Sequence, residues 1–175
     1  DDKVALVFRG ENGARQQLTY SELYQQVAQF AEGLKQQGVS KGDRVAAMMP
    51  NCIETIVAML ATTSLGAIWS SCSPDFGVQG VLDRFGQIEP KVLLTVDGYF
   101  YNGTRHETLP KVSEILGRLP TIEQCVVVPY ANEKPPLATL ENTILFDEFV
   151  AGHSDCEISF EQLPFSHPLY ILYSS

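Results

Sequence analysis

Three stretches of this 175-residue chain carry side chains able to act on an anion or a nucleotide. The first is Leu172-Tyr173-Ser174-Ser175. An apolar strand ending in two hydroxyls can open a phosphate-binding loop, where hydroxyls and backbone N–H groups hold an anion. The glycines and Lys that would complete such a loop are not in the chain, so taken alone it reads as a strand ending in polar residues. The second is Trp69-Ser70-Ser71-Cys72-Ser73-Pro74-Asp75, between a strand and a helix N-terminus. Free N–H groups and hydroxyls there can bind an anion, although taken alone a helix cap beside a buried Trp is the plainer reading. The third runs from Tyr99 to Arg105. Its aromatics can stack on a base and Arg105 can pair with a phosphate; taken alone it reads as an exposed aromatic loop.

Other chemistry finds no support in the spacing. Cys52, Cys72, Cys125 and Cys156 lie far apart, with no CxxC or Cys/His ligand pattern, so no metal site is expected. All four read as structural thiols in a reducing compartment. His106, His153 and His167 have no partner at catalytic spacing.

The elements that must hold these stretches alternate between strand and helix. Val4–Phe8 and Gln16–Thr19 form a hairpin around Gly10-Glu11-Asn12-Gly13. Thr19-Tyr20-Ser21-Glu22 has capping-box form, and apolar residues from Leu23 to Leu34 follow at helical spacing, with Gly38 as the stop. Arg44–Met49 is a strand, Ile53–Leu65 a helix, and Ala67–Trp69 a strand. Ser73-Pro74 then starts a helix whose buried face includes Val78, Val81, Leu82 and Phe85. Val92–Val96 is a strand, residues 97–108 a loop, Leu109–Leu119 a helix and Cys125–Val128 a strand. Leu145–Val150 is a short helix and Leu169–Tyr173 a last strand. The expected fold is therefore α/β, a mainly parallel sheet flanked by helices, with an N-terminal β-hairpin. Its strands are nearly all apolar, as a sheet covered on both faces requires. The chain reads as one partial domain: a βαβ core over 1–130, an irregular acidic connection over 131–168, and a strand at 169–175.

Composition narrows the function classes. An apolar fraction of 45% excludes a disordered chain. No apolar run is long enough to span a membrane, and no signal peptide is expected from the first residues of this sequence. Lys and Arg number 12 against 21 Asp and Glu, a formal net charge of −9. The bases are scattered, which argues against nucleic acid. Residues 135–175 hold six acids and no Lys or Arg, and read as a solvated segment.

Taken together, the residues resemble the N-terminal part of the acyl-adenylate-forming superfamily of acyl-CoA synthetases, luciferases and adenylation domains. The pieces run in order: Leu18-Thr19-Tyr20-Ser21-Glu22-Leu23, Lys41-Gly42-Asp43-Arg44-Val45, Met49-Pro50-Asn51, Leu65-Gly66-Ala67-Ile68 and Leu172-Tyr173-Ser174-Ser175. Within the superfamily, the run from Gly66 to Gly77, then Val81-Leu82-Asp83-Arg84-Phe85, Gln87-Ile88-Glu89-Pro90-Lys91 and Tyr101-Asn102-Gly103, is similar to the acetoacetyl-CoA synthetase family.

The resemblance implies a ligase using ATP, CoA and Mg²⁺. A carboxylate, acetoacetate or a similar short acid, attacks the α-phosphorus to give acyl-AMP and pyrophosphate, and the CoA thiol then displaces AMP. It maps Ser174 and Ser175 onto the first positions of the phosphate loop. Ser71, Tyr101, Asn102, Gly103 and Arg105 fall where related synthetases contact the CoA nucleotide. Relatives of the acetyl type carry two Arg around this loop, where this chain has Tyr101 and Arg105. The resemblance further implies that the chain is truncated at both ends, that no catalytic residue lies within it, and that it is inactive without the rest of the same polypeptide. The expected setting is the cytoplasm, in lipid and ketone-body metabolism. The rival readings are a synthetase for another short acid such as acetate or propionate, a non-catalytic nucleotide-binding or interaction module, and, more distantly, a flavodoxin-like domain.

Overall fold

The structure, a computed structural model, describes residues 1–154 and 156–174. Strands β1 (Val4–Arg9) and β2 (Arg15–Thr19) pair as the expected N-terminal hairpin. Helix α1 (Tyr20–Gln36) starts from a complete capping box. Thr19 Oγ1 accepts from the Glu22 N–H at 3.2 Å, and Glu22 Oε2 accepts from the Thr19 N–H at 2.8 Å. These bonds favour the charged carboxylate and hold the Glu22 pKa below its ordinary value.

Five strands make the central sheet: β3 (Arg44–Met48), β4 (Ile68–Cys72), β5 (Val92–Val96), β8 (Gln124–Val128) and β9 (Thr143–Leu145). Their order is β4-β3-β5-β8-β9, and every neighbouring pair is parallel. Side chains alternate between two buried faces. Val45, Ala47, Leu94 and Val126 face α1 and α2 (Ile53–Ser64). Ala46, Met48, Leu93 and Val127 face α3 (Val78–Phe85) and α4 (Leu109–Arg118). The expected α/β architecture is thus present, and the double coverage explains why the strands are apolar throughout.

Four expectations change. First, the helix expected from Ser73-Pro74 begins at Val78, with Gly77 as its cap. The carbonyls of Pro74 and Phe76, which a helix would use internally, accept instead from Lys111 Nζ at 2.5 and 3.0 Å. Second, the loop after β5 is a hairpin, β6 (Gly98–Tyr101) and β7 (Thr104–Glu107).

Third, residues 131–168 are not wholly irregular. β9 adds a strand beside β8, and α5 (Phe146–Val150), the short helix expected at Leu145–Val150, packs on α1. Phe30 meets Phe146 and Phe149 with ring centroids 5.3 and 4.9 Å apart. Gly33 makes room for this contact, since a Cβ there would lie 2.7 Å from the Phe149 ring.

Fourth, among the described residues Leu169–Tyr173 makes a single parallel bridge, Trp69 with Tyr170, in place of a full strand. The Ser70 hydroxyl donates to the Ile171 carbonyl at 2.9 Å. In a continuing parallel ladder the same carbonyl would accept from the Ser71 N–H.

Candidate functional site

The loops that could hold a ligand leave the carboxyl ends of β4, β5 and β8, where open parallel sheets place their sites. β5 runs from Val96 into Asp97 and Gly98, so the β6–β7 hairpin rises directly from the sheet. Its base is pinned: the Thr108 N–H donates to the Asp97 carbonyl at 3.1 Å, and the Thr108 hydroxyl to the Val96 carbonyl. Its tip is Asn102-Gly103, with φ of 51° and 73°. Positive φ at both central residues defines the tight turn whose twist matches paired strands, and Asn-Gly suits it best.

The hairpin therefore gathers four of the residues singled out in the sequence. Tyr101, 70% exposed, offers a free aromatic face beside the tip. Asn102 and Gly103 form the turn, and the Gly103 N–H donates to Glu11 Oε1 at 3.3 Å. Arg105 projects from β7, bonded through Nη2 to Glu107 Oε1 at 2.6 Å and to Asn132 Oδ1 at 2.7 Å. Tyr99, also in the stretch first suspected of stacking on a base, is engaged within the protein. Its ring stacks on His106 at 4.9 Å, and Lys111 Nζ sits 5.9 Å from its centroid.

Ser71 is exposed on β4, paired with Ala47 of β3. The turn that follows it is coupled to the hairpin through Lys111, which bonds that turn and lies beneath Tyr99. Burial lowers the Lys111 pKa, and the nearby charge of Asp75 partly restores it. Ser174 lies elsewhere, exposed on the tail beside β4. The preceding Tyr173 hydroxyl donates to the Arg84 carbonyl at 2.9 Å, next to the guanidinium that covers Phe76 at 4.5 Å. Ser175 lies outside the described residues.

Asp97 escaped the sequence reading. Its side chain is fully buried and accepts from the backbone N–H groups of Tyr130, Ala131 and Asn132 at 2.7, 2.8 and 2.8 Å. Asn132 Nδ2 adds a fourth bond at 2.6 Å. The only local signal was an acid directly after the apolar strand Val92–Val96. Among the described residues, no group of three or more His, Cys, Asp or Glu side chains could hold a metal ion.

The family described as AMP-binding enzyme matches residues 1–175. The chain belongs to this family. Its relatives include an acetoacetyl-coenzyme A synthetase of Rhizobium meliloti, 53% identical over 98% of this chain and 26% of that protein. An acetoacetyl-CoA synthetase of Xenopus tropicalis is 47% identical over 100% of this chain and 27% of its own length. Among solved structures, acetoacetyl-CoA synthetase from Streptomyces lividans matches with a TM-score of 0.91 and 41% identity, over 99% of this chain and 26% of that one. The chain thus spans about a quarter of the length of the curated relatives it matches.

Proposed function

We propose that this chain is part of an acetoacetyl-CoA synthetase. The complete polypeptide would join acetoacetate to CoA through an acyl-adenylate, releasing AMP and pyrophosphate. The observation that carries the reading is the 53% identity to the Rhizobium meliloti enzyme across 98% of the chain. ATP and CoA are then substrates, and the cytoplasm, lipid metabolism and ketone-body use follow as the proposed setting.

In this reading the β6–β7 hairpin faces the CoA nucleotide. Tyr101 offers a stacking surface, the Asn102-Gly103 turn lets backbone approach closely, and Arg105 offers charged donors to a phosphate. Ser71, at the carboxyl end of β4, borders the same region. Ser174 and Ser175 would open the loop that holds the ATP phosphates, through hydroxyl and N–H donors. Mg²⁺ would reach this reaction on the ATP phosphates; no cluster of His, Cys, Asp or Glu side chains among the described residues fits the ion. Catalytic groups would lie in the remainder of the polypeptide.

Mass spectrometry of products tests the reading. The full-length protein with acetoacetate, ATP and CoA should yield acetoacetyl-CoA and AMP. ADP in place of AMP, or no thioester from folded protein, would overturn it.

A further inference from the structure

We propose that Asn132, locked by the buried carboxylate of Asp97, is the positioning residue that aims Arg105 at a phosphate of the thiol substrate. This inference rests on reading the β6–β7 hairpin as the CoA-facing element.

The chemistry of the three side chains fixes their arrangement. Asp97 is fully buried, and its carboxylate draws three consecutive backbone N–H groups onto itself. The loop after β8 is therefore held rigidly at residues 130–132. Asn132 Nδ2 donates to Asp97 Oδ2 at 2.6 Å, and Arg105 Nη2 donates to Asn132 Oδ1 at 2.7 Å. A carboxylate only accepts and a guanidinium only donates, so the amide between them has one satisfactory orientation. Asn132 relays the fixed position of a buried group to the end of a long side chain on a hairpin. Without Asn132, Arg105 would be held only by the solvent-exposed pair with Glu107 and would sample more rotamers, and ordering it in advance removes part of the entropy cost of binding an anion.

The guanidinium is also left able to act. The bonds to Asn132 and Glu107 both use Nη2. Among the described residues, Nη1 and Nε have no protein acceptor, and each can donate a single charge-assisted bond to a phosphate oxygen. Asn132 lies 27 residues beyond Arg105, so the two ends of this arrangement come from different sheet crossovers.

Steady-state kinetics of the full-length protein test this. Asn132→Ala should raise KM for CoA about tenfold, with kcat and the KM values for ATP and acid within about twofold. Asp97 keeps its three backbone bonds in this variant, so the loop should hold. Asn132→Ser, too short to reach Arg105, should show the same split and serves if the alanine variant fails to fold. Arg105→Ala should raise KM for CoA at least as much, and the double variant should be no worse than Arg105→Ala alone. A purely structural Asn132 would instead add its effect in the Arg105→Ala background. Additive effects, or an unchanged KM for CoA in Asn132→Ala while Arg105→Ala raises it, would overturn the inference alone. An unchanged KM for CoA in Arg105→Ala would overturn the CoA-facing reading as well.

Discussion

Lys111 Nζ lies 3.0 Å from the carbonyl oxygen of Phe76, which fastens helix α4 to the turn after β4. The same ammonium donates to Pro74 and sits under the ring of Tyr99. One side chain thus couples the turn beside Ser71 to the hairpin that carries Arg105. Lys111→Met keeps the apolar stem and removes the charged donor. Two carbonyls then lose a charge-assisted bond, and urea unfolding should show a loss of about 1–3 kcal/mol. A loss below about 0.5 kcal/mol would mean that the turn holds itself.

Three buried thiols set an alkaline limit. Burial pushes Cys52, Cys72 and Cys125 from 9.0 up to about 12. Below pH 9 the folded and unfolded chains hold these protons equally, and their stabilising effect is fully present. Between about 9 and 12 the unfolded chain loses protons that the folded chain keeps, so stability falls as pH rises. With three groups the slope approaches about 4 kcal/mol per pH unit. Urea midpoints measured from pH 7 to 10.5 should be flat and then drop. A rise above pH 9 would contradict the burial of these thiols. Half-buried Cys156 is the thiol that alkylation should reach first in the native protein.

Glu107 shares Arg105 Nη2 with Asn132. Its carboxylate repels an approaching phosphate and partly neutralises the guanidinium. Both side chains are largely exposed, so the pair itself is worth little. Glu107→Gln should lower KM for CoA by two- to threefold, more at low salt than at high salt. A raised KM would show that Glu107 helps to aim Arg105.

The legible parts of the sequence were those whose causes are local. The capping box of α1 lies within four residues, and Val92–Val96 is apolar because both faces of β5 are covered. The β6–β7 hairpin is not legible as strands because Thr104-Arg105-His106-Glu107 shows no apolar alternation on a surface ribbon. Asn102-Gly103 was the available signal for it. β9 is only three residues long and needs β8 to form. Asp97 acts on residues 33 to 35 positions further on, so nothing beside it in sequence shows what it holds. Which aromatic stays free in the stretch from Tyr99 to Arg105, Tyr101 rather than Tyr99, depends on the long-range packing of His106 and Lys111 against Tyr99.

Residues 160–172 leave large apolar groups in solvent. Phe165 is fully exposed, and Phe160, Leu169 and Leu172 are more than half exposed. Phe160 and Leu169 border an apolar groove of about 380 Å³ with Tyr24 and Leu60. Such surfaces seek cover. Residues 1–175 produced alone should self-associate in sedimentation velocity, and should show no synthetase turnover. A monodisperse monomer at high concentration would contradict the first expectation, and turnover the second.

The central claim is that the complete polypeptide activates acetoacetate by adenylation. ATP–pyrophosphate exchange without CoA, run with acetoacetate, acetate, propionate and 3-hydroxybutyrate in turn, tests it most directly. The account predicts exchange strongest with acetoacetate. Strongest exchange with another acid would contradict the substrate, and no exchange with any of them from folded full-length protein would contradict the adenylating reaction itself.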